Sequence, residues 1–308
     1  MFPVKFFWAK RFVIIVSISS LLSGCSINEF AAKKVGDALA KGGTSFSSDN
    51  DPELIREALP FSLKLMESLL NETPNHKGLL FATTSGFTQY GYAFVQQEAE
   101  ILEDIDFEAA EASMERAKRL YLRARSYGLR GLSVDDPDFE SSLRQNPLEA
   151  VLSTNKEDVP LLYWTAVSWL AAIGLSVDDP ALVGDLTIVE ALIDRALELD
   201  EGYDDGAIHS FLITYEMIRQ GGTGDPADRA RKHFSRAIEL SRGQLASPYI
   251  ALAEAVSIYE NNQKEFTDLL QKALAINVDD RPEWRLTNLI YQKRARWLLG
   301  RTDLLFLN

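Results

Sequence analysis

The chain has 308 residues, 46% hydrophobic and 10% aromatic, with 45 acidic side chains against 32 basic ones and a formal net charge of −13. That excess of negative charge repels phosphate backbones and anionic lipid surfaces, which excludes nucleic acid as a partner. The single cysteine, Cys25, excludes internal disulfides and thiolate metal sites, so the fold rests on its apolar core.

The first residues have the layout of a secretory signal peptide. Lys5, Lys10 and Arg11 make a positive start, Phe12 to Leu22 is an apolar run of 11 residues, and small residues follow. The run is short of the roughly 20 residues that a helix needs to cross the hydrocarbon core. Leu22-Ser23-Gly24-Cys25 resembles the bacterial lipobox, in which the cysteine thiol takes a diacylglycerol and becomes the new N-terminus. Removal of 1–24 and lipidation of Cys25 are expected, with acyl chains such as palmitate as the anchor; two or more chains hold a protein stably where one does not. The three basic residues leave with the signal, so 29 basic side chains face 45 acidic ones, a net charge near −16. Ser26 rather than Asp follows the cysteine, which under enteric-type sorting favours the outer membrane, facing the periplasm.

From Cys25 to Asn308 the sequence reads as one all-helical domain. A short helix over Ile27–Lys41 leads to a polar loop at 42–51 (GGTSFSSDND), and strand patterns with period 2 are nearly absent. Asp-Pro steps at 51–52, 136–137, 179–180 and 225–226 mark helix starts, with Asp as the cap and Pro in the first turn. The heptapeptide GLSVDDP occurs at 131–137 and again at 174–180; it lacks a spaced oxygen-ligand loop and reads as a helix-entry turn. Two longer loops or insertions are expected at 129–158 and 176–185.

Four helices share a motif: Ala110, Met114 and Ala117; Val189, Ile193 and Ala196; Ala230, Phe234 and Ala237; Phe266, Leu270 and Ala273. The A-x3-F-x2-A pattern resembles the second helix of a tetratricopeptide repeat, because small residues three and four apart let a partner helix approach closely. Its anchor alanines recur near the ~34-residue period of that repeat, slightly stretched. First-helix partners fall at Leu79–Glu103, Pro160–Leu175, Asp205–Gln220 and Ser247–Asn261, with a closing helix at Pro282–Leu299. Degenerate tetratricopeptide-like pairs stacked into a curved, compact array are therefore expected, since a single pair cannot bury its own apolar face.

No catalytic constellation emerges. His76, His209 and His233 are far apart in sequence and form no metal-ligand pattern, and the glycines of Gly221-Gly222-Thr223-Gly224 follow no strand and precede no phosphate-binding lysine. No enzyme, metal or cofactor is expected. Aromatic side chains do crowd two first helices. Phe87, Tyr90 and Phe94 share one helical face, and Trp164 and Trp169 stand in PLLYWTAVSWLAAIG. Such a stripe serves either a packed core or an apolar groove for a hydrophobic ligand. Gly86 and Gly91 each weaken their helix by ~1 kcal/mol relative to alanine, which points to close backbone approach there.

The lipobox, the stretch SGFTQYGYAFVQ (85–96), the phrase PLLYWTAVSWLAAI (160–173) and the degenerate repeats together resemble the T component (TatT) family of tripartite ATP-independent periplasmic (TRAP) transporters, over about residues 26 to 300. The resemblance implies a periplasmic lipoprotein that associates with the transporter's solute-binding P subunit, forms small trimeric assemblies, and carries an apolar channel for a hydrophobic small molecule. Phe87, Tyr90, Phe94, Trp164 and Trp169 would line that channel. The alternative is a general tetratricopeptide-type scaffold for protein–protein interaction in the envelope.

Overall fold

The computed structural model describes residues 32–38 and 44–306; the signal peptide, Cys25 and the ends of the 27–41 helix lie outside them. The described residues are helical, with connecting turns and no strand. The principal helices are α1 (Pro52–Glu72), α2 (Lys77–Gly91), α3 (Phe107–Leu132), α4 (Val159–Gly174) and α5 (Leu186–Leu199). They continue as α6 (Ala207–Tyr215), α7 (Pro226–Ser241), α8 (Ser247–Leu252), α9 (Gln263–Leu274) and α10 (Arg285–Gly300).

Three of the four Asp-Pro steps start helices. Asp51, Asp179 and Asp225 each accept hydrogen bonds from two backbone N–H groups of the following turn, which satisfies donors that the helix leaves orphaned. Asp136-Pro137 does not. The Phe139 N–H donates to the Asp136 carbonyl at 3.0 Å, so Pro137 sits in a turn and the helix begins only at Phe139. The 129–158 stretch, expected as loop or insertion, opens with the end of α3 and then folds into short helices at Phe139–Gln145 and Pro147–Ala150. Thr44–Ser47 likewise forms a helical turn inside the expected 42–51 loop.

Each helix packs mainly on its neighbours in sequence: α2 on α3, α3 on α4, α4 on α5, α6 on α7, α8 on α9, and α9 on α10. The anchor alanines Ala117, Ala196, Ala237 and Ala273 are all fully buried, as close helix approach requires. Gly91 serves the same end: a Cβ there would lie 3.0 Å from the Tyr121 ring of α3. At Gly128 of α3 the approach is closer still, with a Cβ falling 2.1 Å from Thr165 Oγ1 of α4.

The last helix returns to the beginning of the chain. α10 packs on α1 and on Thr44–Ser47, and Leu286 and Ile290 pack against the core built by α1, α2 and α3. Arg285 donates to the Ser48 carbonyl at 2.6 Å, Arg294 pairs with Glu100, and Arg301 pairs with Asp104. The helical array is thus closed on itself by contacts nearly 200 residues apart in sequence.

Candidate functional site

Two π-turns mark the inner side of this closed array. α2 runs into one at Tyr92–Gln96, where the Gln97 N–H reaches the Tyr92 carbonyl; α8 runs into the other at Ala253–Ser257, where the Ile258 N–H reaches the Ala253 carbonyl at 3.2 Å. A π-turn adds a residue to one helical turn and rotates the side chains that follow; such turns concentrate at functional sites. The first carries Tyr92 and the second Glu254.

Arg294 of α10 bridges the two. Its Nε and Nη2 donate to Glu254 Oε1 at 3.0 and 2.6 Å, and its Nη1 donates to Glu100. Glu100 also accepts from Gln96 Nε2 at 2.9 Å, and Gln96 Oε1 in turn accepts from the Tyr121 hydroxyl at 2.6 Å. Trp297 underlies Arg294, with the guanidinium carbon 4.4 Å from its ring centre. Tyr92 and Tyr291 face one another at 5.9 Å between centroids.

These groups are deep in the protein yet still reached by solvent. Burial is the main force that raises the Glu254 carboxyl above the ordinary range, with Arg294 opposing it. Burial pushes Tyr92 well above the usual tyrosine value and Tyr291 up to about 12. It also works against the charge on Arg294, which Glu254 and Glu100 more than offset. All the same, Tyr92, Glu254 and Tyr291 keep part of their surface accessible. They form one part-buried polar and aromatic cluster where α10 meets the two π-turns.

A second cluster, on α4 and the start of α6, is aromatic. Tyr163 lies 5.1 Å from Trp164, 5.5 Å from Tyr203 and 6.4 Å from Phe211, all in tilted or edge-on contact. The turn into α6 is strained beside it: Asp204 and Asp205 take left-handed φ values of 46° and 51°, and Gly206 follows at 98°. Consecutive left-handed non-glycine residues cost of order 1–3 kcal/mol each and persist where function holds them. Burial, then Asp205, raises the pKa of Asp204.

Among the residues singled out from sequence, Trp164 stands in this aromatic cluster. Phe87, Tyr90 and Phe94 pack together elsewhere, between α2, α1 and α3. Phe87 stacks on Tyr127 at 6.2 Å beneath Arg123, and Tyr90 meets Phe94 at 5.9 Å and accepts from Arg116 at 3.3 Å. Trp169 is fully buried, donates to Asp185 at 3.2 Å, and is faced by Arg125 and Arg144. Sequence reasoning missed Tyr92, Tyr163, Glu254, Tyr291 and Arg294 as a group. The only signal was the run QYGYAFVQ: the π-turn begins at Tyr92, which turns this tyrosine inward while Tyr90 stays in the core. The histidines separated in sequence also partly converge, with His209 and His233 joined at 2.9 Å between Nδ1 atoms.

The fold defines an all-helical protein whose last helix returns to its first. Comparison with known proteins narrows this class. A family model for the T component of TRAP transporters matches residues 48–306, and the chain belongs to that family, one of accessory transport proteins. It is also similar to a Treponema pallidum (strain Nichols) protein described as uncharacterized, with 29% identity over 306 residues, 94% of this chain and 95% of the relative.

Proposed function

We propose that this protein is a non-catalytic lipoprotein, anchored in the outer membrane through acylated Cys25, that docks on the solute-binding P subunit of a TRAP uptake system and holds or passes a hydrophobic ligand through an apolar groove or channel. The observation that supports the ligand reading is the part-exposed aromatic side chains Tyr92 and Tyr291, facing one another, and Trp164. Support for a protein partner comes from α1, where Leu54, Phe61 and Leu65 share one face and are 54%, 74% and 37% exposed. Apolar side chains grouped on one helical face are the kind that partner surfaces cover. Assembly as three copies belongs to the same proposal.

The test is capture from membranes. Affinity purification of the full-length lipoprotein is expected to bring down a periplasmic solute-binding protein, and native mass spectrometry of the eluate is expected to show a retained small molecule. A Cys25→Ala variant is expected in the soluble fraction. Recovery of the bare chain, with no partner and no ligand, would sink the proposal.

A further inference from the structure

We infer that the seam where α10 meets the start of the chain is a reversible electrostatic clasp, at which the closed array opens without either side unfolding. The argument starts from charge. Arg285–Arg301 carries five basic side chains, Arg285, Lys293, Arg294, Arg296 and Arg301, and no acidic one, in a chain whose formal net charge is −13. Four of the five reach across the seam: Arg285 to the Ser48 carbonyl, Lys293 to Glu53 at 3.8 Å, Arg294 to Glu100 and Arg301 to Asp104. Apolar contact there comes from Leu286 and Ile290 against the core of α1, α2 and α3, and from Tyr291 against Tyr92. All four of these side chains keep part of their surface exposed.

What makes the clasp reversible is that its charges keep company on their own side. Arg294 holds Glu254 through Nε and Nη2 and gives Nη1 to Glu100, which also accepts from Gln96 at 2.9 Å. Arg285 donates its Nε to Asp279 at 2.9 Å, Arg301 lies over the Trp297 ring at 4.9 Å, and Glu53 pairs with Arg56 at 2.9 Å. Lys293 and Asp104 are more than half exposed and fall back on water. Parting the seam therefore leaves no unpaired ion in the interior, where one would be costly. α10 itself stays with the helices before it. Asn288, 1% exposed, accepts from the Ala246 N–H and donates to the Gln244 carbonyl, and Gln292 donates to the Ala273 and Ile276 carbonyls. Ala295 and Leu298 are buried in the core of α8 and α9. One face of α10 is thus fixed by burial and the other by ion pairs open to solvent, which are worth little each and weaken with salt. The seam is the low-stability edge of the array, the kind of place where a protein opens before it unfolds.

The experiment measures distance across the seam in the purified mature chain carrying Cys25→Ala. Spin labels on Glu57→Cys of α1 and Arg296→Cys of α10, two exposed positions outside the clasp pairs, report on it. Labels on Glu57→Cys and Arg119→Cys, both on the side of α1 and α3, are the control. Both pairs are read at about 0.01 M and about 1 M salt, between which the screening length falls from roughly 30 Å to roughly 3 Å. One short distance across the seam is expected at low salt. A second, longer one is expected to grow several-fold at high salt, while the control pair holds its distance. Asp104→Asn, which leaves Arg301 on Trp297, and Arg301→Gln are each expected to bring out the longer distance at low salt, with helix content by circular dichroism unchanged. A single distance across the seam at both salts and in both variants would overturn the clasp. So would equal spreading of the control pair, which means general loosening and not an opening at the seam.

Discussion

Trp164 and Trp169 stand five residues apart on one helix and face different worlds. At 100° per residue they point about 140° apart around α4. Trp169 is sealed, with two guanidiniums over its ring and its N–H held by Asp185. Trp164 is only partly covered and meets Tyr163 edge-on at 5.1 Å. An indole on the sealed side contributes to folding, and one on the open side is free to serve a ligand.

The largest expected effect tests that contrast directly. Trp169→Ala removes a fully buried indole and leaves Arg125 without its ring. Burial, then Arg144, already lowers the pKa of Arg125, and no hydrogen-bond acceptor for its Nε exists among the described residues. A loss of about 3–5 kcal/mol in urea unfolding is expected. Trp164→Ala is expected to cost about 1–2 kcal/mol, reflecting partial burial, but to weaken binding of an apolar reporter several-fold. Equal stability losses in the two variants would erase the distinction between sealed and open sides.

The next effect is smaller and depends on pH. Burial, then His233, pushes His209 down to about 4. The unfolded chain keeps an ordinary histidine near 6.5 and binds a proton more readily, so the stability that this buried neutral ring represents is complete above about pH 6.5 and is lost as the pH falls towards 4. The loss is up to about 3 kcal/mol by pH 4 from this residue, and urea midpoints measured from pH 7.5 to 4 should follow it. In His209→Asn the slope should flatten over that window. An unchanged slope would mean that the histidine pair is not sealed.

A modest effect is expected where α3 crosses α4. Gly128→Ala places a methyl 2.1 Å from Thr165 Oγ1, and the helices must part or the threonine must rotate. A cost of about 1–3 kcal/mol is expected by thermal or urea unfolding, although alanine is the better helix former. A stabilised variant would show that the crossing is looser than its geometry.

Much of the sealed side was legible in the chain. The alanines at 117, 196, 237 and 273 announced their burial by spacing alone, because a period of 3.6 puts residues three and four apart on one face whatever the helix meets. Asp51, Asp179 and Asp225 announced helix starts because capping is settled within four residues. Asp136 failed for a reason that is not local: Phe139, fully buried, packs in the core of α4 and α5, and the chain turns before the helix to deliver it.

The open side was not legible. Glu100, Glu254 and Arg294 are ordinary charged residues, and only the return of α10 to the helical turns that follow α2 and α8 makes a cluster of them. Phe87, Tyr90 and Phe94 carried the stronger periodic signal, and the structure gives them to the core between α1, α2 and α3.

By itself, then, the sequence determined that this chain is helical, where most helices begin and which faces are packed shut, since capping and periodicity act within a turn or two of backbone. Only the tertiary structure decided which side chains gather around Arg294. That outcome hangs on two π-turns and on contacts between residues almost 200 positions apart, and no local preference encodes a meeting at that range.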